Sequence, residues 1–432
     1  MDPIYDISPL LKLGGVFFII ILLIRRKLSL GMSLTAGAVV LGLWFRLPPL
    51  QLLASVGNAL RSPEAIILFL VVTLILVLSH SLEQSGQMKR LLTSFGSISQ
   101  NARLNLALFP AMIGLLPMPG GAVFSAPMVH ELSREKGLTG RRKSLINYWF
   151  RHIWEFCWPL YPGVILTCSL SGIDLAFFVI AQFPMTLLMA VVGYFTQLKS
   201  LSVEKTSPSA PVAESRKAFF IELIPIVIVI GGAVILGTAV YLLGHFYPVL
   251  RAVRKEVWLI VALLISLFWV WRYNRMPADQ IRGIFWSRSL FSMIFMIVGI
   301  MIFEGVLEDS HAVSEISQSL TDARVPVVLV IVILPFLVGT ITGITVAFVG
   351  ATFPILFSLI TDSPMADSLL AYTILAFCAG YLGVLLSPLH ICLVLTCQYF
   401  HTALINIYRK LWFPAGILAF GAVVLFWIIR SL

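Results

Sequence analysis

Within one apolar stretch, Asn147-Tyr-Trp-Phe-Arg-His-Ile-Trp-Glu155, stand an amide, a guanidinium, an imidazole and a carboxylate. Pro159 and Tyr161 follow closely. A lone charge in such a run is costly in hydrocarbon, so it needs a partner or a wet cavity. Arg151 and Glu155 are four apart, a spacing that lets them pair on one helix face. One reading is that Arg151 or His152 draws in an anion while Asn147 donates a hydrogen bond. The other is a structural Arg–Glu pair that orients a half-helix, with His152 on a packed face.

The residues just beyond return near the other end of the chain. Trp158-Pro-Leu-Tyr-Pro-Gly-Val-Ile-Leu-Thr-Cys168 recurs as Ser387-Pro-Leu-His-Ile-Cys-Leu-Val-Leu-Thr-Cys397. Pro159, Leu160, Leu166, Thr167 and Cys168 return at Pro388, Leu389, Leu395, Thr396 and Cys397. Proline inside a long apolar run removes a backbone donor and clashes with the preceding turn, so each copy reads as a broken helix. His390 stands where the first copy has Tyr161. With an ordinary pKa of about 6.5 a histidine suits a coupling proton; a structural histidine is the alternative.

Two further apolar runs are interrupted, at Leu116-Pro-Met-Pro-Gly-Gly121 and at Gly339-Thr-Ile-Thr-Gly-Ile-Thr345. Both read as re-entrant hairpins, which are tolerable only inside protein or beside water. With the proline steps this makes four breaks. The second half-helices are expected to start near Gly121, Pro159, Gly343 and Pro388. Each start offers unpaired N–H groups and the positive end of a helix dipole, on the order of half a charge. Opposed starts form an anion site. The expected anion-binding residues are Pro119, Gly120, Gly121, Ser125, Asn147, Arg151, Pro159, Tyr161, Thr342, Gly343, Thr345, Ser387, Pro388 and His390. Thr340, Thr342, Ser387 and Glu155 are the expected oxygen ligands for a coupling ion. Packing kinks are the plain alternative for any single break, but matched breaks in two halves favour a site.

The elements that must hold these residues follow from composition. Of 432 residues 59% are hydrophobic and 12% charged, with several runs long enough to cross a bilayer. The fold class is an all-α polytopic membrane protein. The first apolar run ends in Arg25-Arg26-Lys27 without a small-residue cleavage pattern and reads as a retained span. Residues 1–196 form a first repeat: scaffold spans within 8–83, a hairpin at 104–130, a broken span at 143–171 and a span at 175–196. Residues 197–217 are a Pro/Ser-rich cytoplasmic linker. Residues 218–432 repeat the order: scaffold 218–306, hairpin 325–360, broken span 368–400, last span 412–430. Amphipathic pieces at 50–60, 87–95 and 311–321 lie in the interface plane.

Five crossings plus one hairpin per half invert the second repeat. Charge supports this arrangement. With both termini outside a cell inner membrane, the inner segments carry 21 of the 30 Lys and Arg residues. The net charge of +10 therefore belongs to cytoplasmic loops, not to nucleic acid. Arg251, Arg254 and Lys255 break the pattern. Glu222 and Glu304 lie near span ends, where a proton-relay role is open.

The five cysteines lack metal-type spacing and read as small buried hydrophobes. No His-Glu-x-x-His, Gly-x-Ser-x-Gly or Walker motif occurs. An enzyme is not expected, and neither is a cofactor beyond Na⁺ or H⁺ as coupling ion; no metal site is expected.

Inverted halves, each with a hairpin and a broken helix, resemble the ion transporter superfamily. Leu116-Pro-Met-Pro-Gly-Gly-Ala122 with Ser125-Ala-Pro127 is similar to an uncharacterised prokaryotic membrane family, domain of unknown function 401. The resemblance implies a homodimer with scaffold spans and elevator-like moving parts. It also implies Na⁺- or H⁺-coupled secondary transport of a small, carboxylate-like organic anion. A cation/proton antiporter is the alternative reading, and an intramembrane enzyme resting on Arg151, His152 and Glu155 a weaker one. The first hairpin tip lacks the hydroxyl and amide ligands of better-known members of the superfamily, while the second tip keeps threonines.

Overall fold

The computed structural model describes residues 8–26, 28–99, 101–117, 121–133, 137–201, 212–243, 247, 254, 256–361, 363 and 365–432. Among them the regular elements are all helical. The first half runs α1 (Pro9–Arg25), α2 (Leu30–Trp44), α3 (Pro49–Arg61), α4 (Pro63–Gln84), α5 (Gln87–Ile98), α6 (Ala102–Gly114), α7 (Ala122–Leu132), α8 (Gly140–Arg151), α9 (Pro162–Ser171) and α10 (Leu175–Gly193). The second runs α11 (Val212–Leu243), α12 (Glu256–Tyr273), α13 (Ala278–Phe285), α14 (Arg288–Asp309), α15 (Ala312–Asp322), α16 (Val327–Thr342), α17 (Thr345–Thr361), α18 (Leu369–Leu385), α19 (Ile391–Tyr399) and α20 (Leu404–Arg430).

Starts are set by local chemistry. Ser29, Ser62, Thr139 and Ser287 accept from backbone N–H groups of their own first turns, and Asp174 caps α10. Proline opens α1, α3, α4 and α9, where its missing N–H is not needed. Among the described residues, seven stretches are long and apolar enough to cross a bilayer. Phe177, Ile180 and Leu187 on α10, and Trp412, Phe413 and Phe420 on α20, point outward as lipid-facing side chains do. The chain is an all-α polytopic membrane protein.

Helix pairing follows one pattern in both halves. Helix α6 packs on α8 as α16 does on α18. Likewise α7 packs on α19 as α17 does on α9, and α1 on α15 as α11 on α5. Exchanging the halves therefore maps these contacts onto themselves. Helix α13 completes the match, since it packs on α4 as α3 packs on α14. No amphipathic stretch in the sequence of the second half marks this counterpart of α3. Eight residues with only Ile281, Ile284 and Phe285 as an apolar face are too short to stand out as a periodic run. The scaffold closes where α2 crosses α14. A Cβ on Gly31 or Gly299 would strike the other helix's backbone, a close approach typical of membrane helices held by small residues.

Two acidic residues have structural partners. The Glu222 carboxylate accepts from both Arg90 Nε (2.7 Å) and Nη2 (3.2 Å), and Gln87 Nε2 donates to the Glu222 carbonyl (3.1 Å). These bonds tie α5 to α11. Glu222→Gln is expected to lower stability by about 2 kcal/mol, the scale of a charged hydrogen bond. Thermal unfolding in detergent measures it. Arg254 pairs with Glu64 at the start of α4, which gives one of the cations outside the charge pattern a partner. Arg251 and Lys255 lie outside the described residues.

Candidate functional site

Helix α8 stops at Arg151. A single 3-10 turn, Ile153–Phe156, follows, and α9 opens at Pro162 behind an extended Tyr161. Residues preceding proline are pushed toward this extended conformation. In the second half α18 stops at Leu385, and α19 opens at Ile391 behind an extended His390. Each second half-helix thus starts three residues beyond the proline step at Pro159 or Pro388. The proline removes a donor, and a tight turn must pass before a helix resumes.

Broken helices leave carbonyls without helical partners, and in a membrane interior such groups must be satisfied by protein. Phenols and imidazoles do so. Tyr161 Oη donates to the Gly114 carbonyl (2.6 Å), and Tyr381 Oη to the His152 carbonyl (2.8 Å). Tyr148 Oη donates to the Leu385 carbonyl (2.8 Å). His390 Nδ1 meets the Gly343 carbonyl (2.7 Å), and His152 Nδ1 the Tyr148 carbonyl (2.5 Å). Tyr161 and His390 occupy the same repeat position, and each fastens its break to the hairpin of its own half. The register that aligns Pro159 with Pro388 also aligns His152 with Tyr381.

The two halves meet at the imidazoles. His152 Nε2 and His390 Nε2 are 2.9 Å apart, with ring centroids 4.8 Å apart and planes inclined at 68°. Cys392 Sγ lies within 4.8 Å of a ring nitrogen of each histidine. One Glu155 oxygen is 3.7 Å from His152 Nε2, and the other accepts from Thr345 Oγ1 (3.1 Å). Nearby, the Arg151 guanidinium, 2% exposed, donates to Tyr161 Oη (3.3 Å). A Cβ on Gly121 would run into that guanidinium. Asn147 Nδ2 donates to the Ala122 carbonyl (3.1 Å) and to Thr396 Oγ1 (3.0 Å). Hairpin, first break and second break are thereby joined.

The structure gathers Gly121, Asn147, Arg151, Glu155, Tyr161, Gly343, Thr345, Ser387 and His390 around this junction. Ser387 Oγ accepts from Leu389 N–H (3.2 Å) beside Gly343. Ser125 Oγ donates to the same Ala122 carbonyl that Asn147 engages. Other expected residues play local roles. Thr340 and Thr342 hydroxyls donate within α16, to Phe336 and Val338 carbonyls. Pro388 is exposed and Pro159 half-buried. Pro119 and Gly120 lie outside the described residues. The shared helix face expected for Arg151 and Glu155 does not form, because α8 ends at Arg151 and Glu155 sits on the 3-10 turn. Cys392, Thr396, Tyr148 and Tyr381 were not foreseen. A signal existed in the repeat itself: the departures Tyr161/His390 and Gly163/Cys392 mark the centre.

One cavity reaches the first break, and another lies along the second half-helix, α19. One, of about 1270 Å³, reaches Pro159 and Leu160 and runs along Ile165 and Cys168, with Glu64, Asp174, Arg254 and Glu256 at its polar margin. The other, of about 520 Å³, runs along Val394 and Cys397 to Gln398, His401 and Thr402. Ile165 and Cys168 are the repeat positions of Val394 and Cys397. Each cavity thus follows the same side of its own second half-helix. The junction itself is closed: His152 is 1% exposed, and Tyr161 and His390 are 7% exposed.

A model of the family described as "Protein of unknown function (DUF401)" matches residues 7–429. The chain belongs to this family. Among solved structures, the DUF401 chain is similar to the YdaH transporter of Alcanivorax borkumensis, whose structure is described as having an unusual topology. The TM-score is 0.58 with 16% sequence identity, over 83% of this chain and 84% of that one. At this identity the likeness concerns the fold. No curated protein sequence matches the DUF401 chain.

Proposed function

We propose that this DUF401 protein is a secondary active transporter of a small, carboxylate-like organic anion, coupled to Na⁺ or H⁺ and working by elevator-type alternating access. One observation carries the proposal. Two broken helices, Gly121 of the first hairpin and Gly343 of the second meet at a closed polar junction that holds a buried arginine, and cavities follow the two second half-helices at repeat-equivalent positions. The starts of α9 and α19 supply backbone donors for an anion without further charge. Arg151 supplies a forked cation suited to a carboxylate. The transporter fold of a distant structural neighbour agrees with this reading.

In this account α6–α10 and α16–α20 move against the scaffold α1–α5 and α11–α15. The surplus of basic residues in one set of loops supports an inner-membrane protein with both termini outside. Exposed apolar side chains on scaffold helix α11, such as Val227, Val234 and Ile235, are available to lipid or to a second copy in a homodimer.

The test starts with a thermal-shift screen of purified protein against carboxylates, inorganic phosphate and Na⁺. A ligand that binds only the folded state raises the melting temperature, by about 2.7 kcal/mol of stabilisation at a hundredfold excess over Kd. The stabilising anion is then offered to proteoliposomes under an inward Na⁺ gradient or a pH gradient. Gradient-driven accumulation of the anion is expected. Na⁺/H⁺ exchange without any anion requirement would contradict it and establish the antiporter instead.

A further inference from the structure

We infer that His152, His390 and Cys392 form a binding site for one divalent transition-metal ion of the Zn²⁺ type. The inference is independent of which solute the protein carries.

Each imidazole Nδ1 faces a backbone carbonyl, Gly343 for His390 and Tyr148 for His152. A carbonyl only accepts, so each Nδ1 carries its ring's proton and donates. Each Nε2 then presents a lone pair, and the two nitrogens point at each other across 2.9 Å. Two lone pairs at that distance repel unless a cation joins them. The same Nδ1–carbonyl bond is the second-shell arrangement that fixes metal-binding histidines in the required tautomer and orientation.

A third donor selects the cation. Cys392 Sγ and one ring nitrogen of each histidine lie within 4.8 Å of one another, all in buried residues. In a tetrahedral zinc site, bonds of about 2.0–2.3 Å place donor atoms about 3.3–3.6 Å apart. The pair of nitrogens has to open slightly and the sulfur to close in, adjustments within reach of side-chain rotation. Cys392 is the second residue of α19, where the positive end of the helix dipole favours a thiolate. The Glu155 carboxylate lies 3.7 Å from His152 Nε2 and has to turn toward the cluster to serve as a fourth ligand. Thiolate and carboxylate together balance the charge of a divalent ion in a low-dielectric interior. A soft sulfur with two imidazoles favours Zn²⁺ or its chemical relatives over Mg²⁺ or Ca²⁺. The ligands come from both halves of the chain: His152 and Glu155 from the first break, His390 and Cys392 from the second. A bound ion would clamp the two breaks together.

The experiment uses full-length protein in lipid nanodiscs, stripped with chelator and titrated with Co²⁺ as a spectroscopic stand-in and with Zn²⁺. The expected result is one ion per chain, with an intense near-ultraviolet thiolate-to-cobalt band displaced stoichiometrically by Zn²⁺. Cys392→Ser should abolish the band and weaken Zn²⁺ binding more than about a hundredfold, and His390→Gln should weaken it at least tenfold. Cys397→Ser, which alters a cysteine outside the cluster, should keep both band and affinity, so that loss in Cys392→Ser is not read as a folding defect. Absence of the band from the wild type, or its persistence in Cys392→Ser, overturns the inference; in the former case the imidazoles share a proton instead.

Discussion

Arg151→Gln is expected to weaken binding of the anion found in the screen by roughly 10–100-fold. A charge-assisted hydrogen bond to an anion contributes about 1.5–3 kcal/mol, and each 1.4 kcal/mol is about tenfold in affinity. Arg151 is the buried cation nearest the starts of the half-helices, lodged against Gly121 and Tyr161. Glutamine keeps a donor and much of the volume but removes the charge. The Tyr161 bond to the Gly114 carbonyl does not depend on Arg151, so the break should hold. Arg151→Lys should fall between, because an ammonium lacks the planar fork. Equilibrium binding to detergent-purified protein measures both variants. Wild-type affinity in a well-folded Arg151→Gln protein would remove the arginine from the substrate site.

Gly343→Leu should have the larger effect, with loss of anion binding beyond detection. Gly343 ends α16 in the left-handed region, φ 67°. That region costs an L-residue about 1–2 kcal/mol. The strain is the lesser part. A Cβ there would lie 2.8 Å from the His390 backbone nitrogen and 2.9 Å from Ser387 Oγ. The backbone of the second break would have to move, and the bond from His390 to the Gly343 carbonyl would go with it. Gly172 supplies the control. It has a similar φ of 68° at the end of α9, but nothing lies within 4 Å of a Cβ built on it. Gly172→Ala should therefore cost about 1 kcal/mol of stability and leave binding unchanged. Melting temperature and anion binding, measured on both variants, separate backbone strain from damage to the site. Equal loss of binding in both would show that Gly343 has no special place.

Much of this was legible in the sequence because hydrocarbon imposes simple rules. Length and apolarity mark a span, and Pro159, Pro388 and Gly343 mark breaks that hydrogen bonding cannot ignore. The duplication of residues 158–168 at 387–397 places two of those breaks in register. Two things escaped. Helix boundaries near proline shifted, because Tyr161 and His390 each need an extended residue and a turn before a helix resumes. That shift moved Glu155 off the Arg151 face and onto His152 and Thr345. The second loss was the cluster itself. His152 and His390 are separated by 238 residues, and Cys392 lies among apolar residues that make it read as a small hydrophobe. Linear spacing cannot report a ligand set assembled from two repeats, whereas the positions at which the repeat fails to repeat do point to it.

The central claim is that the two broken helices and the two hairpin tips build one substrate site. A cryo-electron microscopy map of the protein in lipid with the stabilising anion bound tests it most directly. The account predicts ligand density among Arg151, Tyr161 and the starts of α9 and α19, within hydrogen-bond reach of residues from both halves. Density confined to the cavity beside Glu64 and Arg254, or a map in which His152 and His390 stand far apart, would contradict it.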